Sequence, residues 1–268
     1  MALLSVCETT TFRWSFEEDV ERYRRLGVSA IGVWRQKLSD FGEEKGAELL
    51  AEYGLKVSSL HWAGGFTGSD GRSYKAAVED ALDAVRSAGE LKAECLLVYS
   101  GSRGGHTHNH ARRLFRDALK TLAPAAEQYG VNLAVEPMHP ACAEEFTFVT
   151  NWDEYLQLFA AVDSPRIKLL LDTYHLGFDK DLIERIPEMV PHLGLVQLGD
   201  GRAAPTTEQN RCLLGRGIVP VREIVERLRN NGYDGFFEIE LIGEDLETTD
   251  YEQILRESLQ FCKTIDLV

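Results

Sequence analysis

The chain has 268 residues, 44% of them hydrophobic and 27% charged, enough to bury one core of substantial size. Its 29 basic and 43 acidic side chains leave a formal charge of −14, which argues against non-specific binding to nucleic acid or an anionic membrane, although a local pocket can still take a small anion. No stretch offers the ~20 apolar residues of a transmembrane helix, the N-terminus turns polar at Glu8, and the scattered Cys7, Cys95, Cys142, Cys212 and Cys262 form no CxxC pair, so a reduced, cytoplasmic protein is expected.

Along the chain, short apolar runs alternate with amphipathic segments. The expected strands are Leu3–Cys7, Ala30–Trp34, Lys56–His61, Glu94–Tyr99, Asn132–Pro137, Ile167–Asp172, Gly194–Leu198 and Gly235–Leu241. Between them, Phe16–Arg25, Glu43–Tyr53, Tyr74–Ser87, Ala111–Tyr129, Asp153–Ala161, Val221–Asn230 and Tyr251–Lys263 carry apolar residues at helical spacing, as in Leu114, Ala118, Leu122 and Ala125. Gly27, Gly54, Gly130 and Gly232 stand where helices should end. Strands that alternate with helices of this length imply crossover connections and a parallel sheet. Eight such units predict a closed (β/α)₈ TIM barrel, an α/β fold, in a single domain over residues 1–268. The polar loop Gly199–Arg211 reads as an insertion between a strand and its helix.

A barrel of this kind places its site at the C-terminal ends of the strands. The informative residues are therefore polar ones that close apolar runs. Glu136 closes Asn-Leu-Ala-Val and precedes Pro-Met-His139-Pro, and Asp172 closes Ile-Lys-Leu-Leu-Leu and precedes Thr-Tyr-His175. Gln197 ends Gly-Leu-Val, with Asp200 three residues on, and Glu240 ends Phe-Phe-Glu-Ile. His61 closes Val-Ser-Ser-Leu. Any one acid at a strand end serves equally well as a helix cap or ion-pair partner. Four polar groups at the ends of strands five to eight point to a metal, because converging carboxylates repel unless a cation neutralises them. Carboxylates with one amide oxygen form a hard donor set, suited to a single Mn²⁺, Mg²⁺ or Co²⁺, with Zn²⁺ next in order.

Glu238 shares a face with Glu240 one layer deeper, and an ion pair with Lys168 is expected. The tract His106-Thr-His108-Asn-His110 follows Gly101, Gly104 and Gly105 in the loop after strand four. His106 is read there as a substrate or helix-entry residue, His108 and His110 as solvated, and His192 as structural at the opposite end.

These segments, together with Leu-Leu-Gly215-Arg-Gly217 and Gly232-Tyr-Asp-Gly235, resemble the xylose-isomerase-like TIM-barrel superfamily and its sugar-phosphate isomerase/epimerase group. The resemblance covers essentially the whole chain and is strongest from Val131 onward. It implies one metal on Glu136, Asp172, Gln197 and Glu240, a substrate-facing His175, and a substrate-binding arginine after strand seven, nearest matched by Arg202. Gln197 stands where many sugar epimerases have His, and resembles hydroxypyruvate isomerases and 3-dehydroshikimate dehydratases in this. Gly215-Arg216-Gly217 replaces the commoner Gly-Glu-Gly.

The expected chemistry is isomerisation or epimerisation of a sugar or small hydroxy-carbonyl compound through an enediolate, with Glu136 and Glu240 as base and conjugate acid. His175, Arg202, His61, His106 and His139 are the expected substrate-binding residues. A dehydratase of the 3-dehydroshikimate or inosose type is the alternative, since the same intermediate can expel a β-hydroxyl. Metal-dependent cleavage at abasic sites fits less well, because the surface is acidic and the extra ligands of a three-zinc site are missing. The expected partner is a small sugar or keto acid, with no nucleic acid or membrane, and a homodimer or homotetramer is compatible with the fold.

Overall fold

Each apolar run has two faces to bury, and closing the sheet on itself buries both. The computed structural model of the chain describes residues 3–267. Its strands are β1 (Leu3–Cys7), β2 (Ala30–Trp34), β3 (Lys56–Gly64), β4 (Cys95–Tyr99), β5 (Asn132–Val135), β6 (Ile167–Asp172), β7 (Leu193–Leu198) and β8 (Phe236–Ile239). Each pairs in parallel with the next, and β8 pairs with β1 to complete a closed eight-stranded barrel. Helices form the outer layer. Several of their starts are fixed by side chains that accept a free backbone N–H: Ser15, in a capping box with Glu18, and Ser73, Thr107, Asn151 and Asp250. Gly54 and Gly130 end their helices in the left-handed region, at φ 64° and 71°, where a Cβ would be strained.

Strand side chains alternate between two separate cores. Outward residues such as Leu133, Val135, Leu169, Leu171, Val196, Leu198, Phe237 and Ile239 pack beneath the helices. Inward residues Ala30, Cys95, Leu97, Ala134, Leu170, Leu195 and Phe236 fill the barrel itself. The expected elements are present, with shifted ends. β3 runs three residues past His61, to Gly64. The helix expected from Ala111 begins at His108, because Thr107 caps it by accepting from the His110 N–H. β5 and β8 stop at Val135 and Ile239, one residue short of Glu136 and Glu240. Pro137, which has no N–H to give the ladder, follows Glu136 directly.

Among the described residues no helix is long and apolar enough to cross a membrane. All five cysteines are free and buried. The loop after β7 is gathered around Asp200, whose carboxylate accepts the backbone N–H groups of Gly201, Gly215, Gly217 and Val219.

Candidate metal centre and substrate cavity

Register decides which side chains share the barrel mouth. Asp172 on β6 is level with Gln197 on β7, and Gln197 with Glu238 on β8, so all three leave the sheet on the same inward side. Glu240 stands one inward layer higher, and Glu136 follows β5 on the same face. All five are buried. The Glu136, Asp172 and His175 ligand atoms lie within 4.8 Å of one another, with His175 Nε2 3.7 Å from Glu136 Oε1 and 3.9 Å from Asp172 Oδ2.

The residue that ties Asp172 to Glu240 is Arg211. It is 2% exposed, and its Nη2 donates to Asp172 Oδ2 at 2.5 Å and to Glu240 Oε2 at 3.1 Å. Its guanidinium lies 4.6 Å above the Tyr174 ring centroid. Burial works against the guanidinium charge, yet Asp172 and Glu240 more than offset it and raise its pKa. Burial, reinforced by the charges of Asp172 and Glu240, pushes Glu136 well above the usual carboxylate range. Burial also raises Glu240, against the pull of Arg211 and His61. Burial lowers His175 to about 3, so its imidazole is neutral.

Below this layer Glu238 is the most heavily bonded acid. Its Oε2 accepts from Ser58 at 2.6 Å, Ser59 at 2.7 Å and Ser5 at 3.4 Å. Its Oε1 accepts from Gln197 Nε2 at 3.1 Å and faces His61 Nε2 at 3.1 Å. Burial alone would raise this carboxyl, but its bond and charge interaction with His61 and the serine bonds hold it below the usual range, and Glu238 in turn raises His61 against burial. The expected Lys168 partner is not there. Lys168 lies four residues before Asp172 on β6, while Glu238 is level with Asp172 through Gln197, so the two are separated by inward layers. Cys7, His61 and Glu238 also bring ligand atoms within 4.8 Å. Glu238 is already saturated by donors there.

A cavity of about 230 Å³ opens above the carboxylates. His61, Glu136, His175, Arg211 and Glu240 reach it, and Trp62, Tyr99 and Phe146 form an aromatic wall with ring centroids 5.9 and 6.2 Å apart in succession. Several buried polar atoms at this mouth have no protein partner: both ring nitrogens of His175, Gln197 Oε1, and Arg211 Nε and Nη1. Orphaned groups of this kind are costly unless a ligand satisfies them. Three acids, a neutral imidazole and a free amide oxygen fit a divalent ion.

Other residues expected at the site lie outside the cavity. Arg202 has a side chain 69% exposed and pairs with Asp245 at 3.0 Å, because the loop turns outward directly after Asp200. Arg211, nine residues on, is the arginine that the loop brings back, as Cys212 N–H bonds Asp200 O and Arg211 N–H bonds Ile242 O. His106 stands at helix entry: it precedes the cap Thr107, with Nε2 3.1 Å from the Thr67 carbonyl and its ring 4.7 Å from that of His110. His139 caps the Pro140–Phe146 helix, its Nδ1 accepting from Ala141 N–H.

The description xylose isomerase-like TIM barrel matches residues 20–265. A Streptomyces coelicolor protein whose name proposes a hydroxypyruvate isomerase is 27% identical over 65% of this chain and 60% of its own length. A D-psicose 3-epimerase from Enterocloster bolteae is 28% identical over 44% of this chain and 36% of its own. The chain thus spans less than two thirds of these relatives. A solved structure from Sinorhizobium meliloti 1021 superposes with a TM-score of 0.90 at 24% identity, covering 98% of both chains. The zinc-bound IolI protein superposes at 0.84 and 18% identity, covering 99% of this chain and 98% of that one. At these identities the superpositions show the shared fold.

Proposed function

The chain belongs to the xylose isomerase-like TIM barrel family, and from that premise we propose that it is a metal-dependent isomerase or epimerase of a sugar or small hydroxy-carbonyl compound. The observation that carries this reading is the set of buried, unpartnered polar atoms of His175, Gln197 and Arg211 gathered beside three carboxylates at one mouth. A divalent ion on Glu136, Asp172, Gln197 and Glu240 would supply Lewis-acid polarisation of the substrate's oxygens.

The chain's own groups supply the proton transfers. Glu136 and Glu240 both reach the cavity, where one can take a proton and the other return it. Neutral His175 can accept from or donate to a substrate hydroxyl, and the free Nε and Nη1 of Arg211 can hold a substrate oxygen. The aromatic wall of Trp62, Tyr99 and Phe146 shields the reacting carbon from water. Names carried by the relatives, among them D-psicose and fructoselysine 3-epimerases, agree with this chemistry. A dehydratase is the second reading: the free Nε and Nη1 of buried Arg211 suit a substrate carboxylate such as that of 3-dehydroshikimate, although hydroxypyruvate offers one too.

Incubation with Mn²⁺ in D₂O over keto-sugars, hydroxypyruvate and 3-dehydroshikimate tests both readings. Expected are deuterium beside the carbonyl and a product otherwise equal in mass to the substrate. Glu136→Gln and Glu240→Gln, with metal occupancy checked, should each lose ~10²–10⁴-fold in turnover. A product lighter by one water replaces the isomerase with the dehydratase, and the absence of exchange with every compound removes both.

A further inference from the structure

Gln197 can serve a cation only through its amide oxygen, and nothing in an amide side chain by itself decides which end points where. Its flanking strand neighbours are Asp172 on β6 and Glu238 on β8. Glu238 is fully buried, and every group that meets it is a donor or can be one: Ser5, Ser58 and Ser59 at Oε2, His61 and Gln197 at Oε1. A carboxylate so supplied has no hydrogen to offer and accepts only. The Gln197 NH₂ must therefore face Glu238, and its oxygen is left on the Asp172 side, buried and without a protein partner. The seat of Glu238 is itself fixed, since β2 carries Gly32 opposite it and a Cβ there would fall 2.4 Å from Oε2.

We propose that Glu238 is a positioning residue that sets the direction of the Gln197 amide and so presents its oxygen to the cation. The inference rests on the reading that Glu136, Asp172, Gln197 and Glu240 hold a metal. Outer groups that orient ligands are typically worth 10–100-fold in metal affinity.

The test is calorimetric titration of the metal-free, full-length protein with Mn²⁺. Gln197→Ala, which removes the ligand itself, should weaken binding by at least the ~10-fold lower bound for loss of an outer orienting group. Glu238→Met, which frees the amide to turn, should weaken it similarly, and the double variant should bind no worse than Gln197→Ala alone. Glu238→Gln, which can turn its own oxygen to Gln197, should stay within about threefold of the wild type, a small fraction of that loss. Should Glu238→Met fail to fold, the wild type supplies the readout. The Gln197 amide protons, assigned by their absence in Gln197→Ala, should resist solvent exchange with and without Mg²⁺. Affinity unchanged in Glu238→Met, losses that multiply in the double variant, or amide protons that exchange freely each overturn the role of Glu238. A wild type that binds no Mn²⁺ overturns the metal reading, and this inference with it.

Discussion

Arg211→Met isolates the part that the guanidinium plays in holding the carboxylates together. Methionine retains an unbranched stem to pack against Tyr174, but leaves Asp172 and Glu240 without the cation that now contacts both, at 2.5 and 3.1 Å. Removing one partner of a buried pair typically costs ~3–5 kcal/mol. Protonation of Glu136 or Glu240, both raised by burial, relieves part of this, so the lower figure is expected. In a chain of this size ~1 kcal/mol corresponds to about 2–4 °C, so the metal-free variant should melt about 6–12 °C below wild type. Saturating Mn²⁺ restores positive charge at the same acids and should close most of the gap. The pH dependence has a definite sign. Burial and like charge raise Glu136, and burial raises Glu240. Groups raised in the folded state favour it at low pH and oppose it as pH rises. The deficit of the variant should therefore widen on the alkaline side and shrink on the acid side. Differential scanning fluorimetry in chelator and in Mn²⁺ measures all of this. A metal-free variant that melts within about 2 °C of wild type at mildly alkaline pH would refute the reasoning.

Arg202→Ala should change stability by less than ~0.5 kcal/mol and kcat/KM by less than about twofold, because its partner Asp245 is a surface contact; a tenfold loss of kcat/KM would place Arg202 in the site. Burial holds His175 at about 3, below the ~6.5 of an unfolded histidine. The folded state thus binds fewer protons, and His175 costs stability as pH falls from ~6.5 toward 3, by up to ~1.4 kcal/mol per pH unit. His175→Asn should flatten this slope in urea melts of the metal-free protein, and an unchanged slope contradicts the neutral imidazole. Gly32→Ala should cost ~1–3 kcal/mol by overpacking against Glu238 and Ser59 in the barrel, and a variant as stable as wild type in urea would show that Glu238 has no fixed seat.

The barrel is legible in the sequence because each strand is a short apolar run bounded by a helix with its own periodicity. Glu136, Asp172, Gln197 and Glu240 stand out because a polar residue closes each run. Arg211 is not legible in the same way. It lies in a polar loop, and Arg202 is nearer the strand. Only the fold of the loop around Asp200, with its return bridge through Cys212, carries Arg211 over the mouth. A hint is present in Asp200 followed by Gly215-Arg-Gly217, since the N–H groups of Gly215 and Gly217 end on that carboxylate. Sequence spacing pairs Glu238 with Lys168 because it orders residues within one strand and says nothing of the stagger between strands. That stagger sets Glu238 level with Gln197 and leaves Lys168 below it. Tyr99 and Phe146 line the cavity but carry no sequence signal, because aromatic residues in an apolar run or an amphipathic segment pass for core.

The alternation of side chains along the strands has a consequence for how such a protein can change. Leu169 and Leu171 face the helices, whereas Leu170 and Asp172 face the barrel axis. A single strand thus carries two interleaved texts, one read by the outer shell and the other by the ligand. Because the outer shell holds the larger apolar cluster, the inward text can be rewritten, a histidine for a glutamine here or a smaller aromatic there, while the shell keeps the scaffold folded. Randomising inward positions near the mouth should leave many more folded members than randomising the same number of outward ones. New substrates would then arise on this scaffold by replacement at alternate residues, without insertion of new elements.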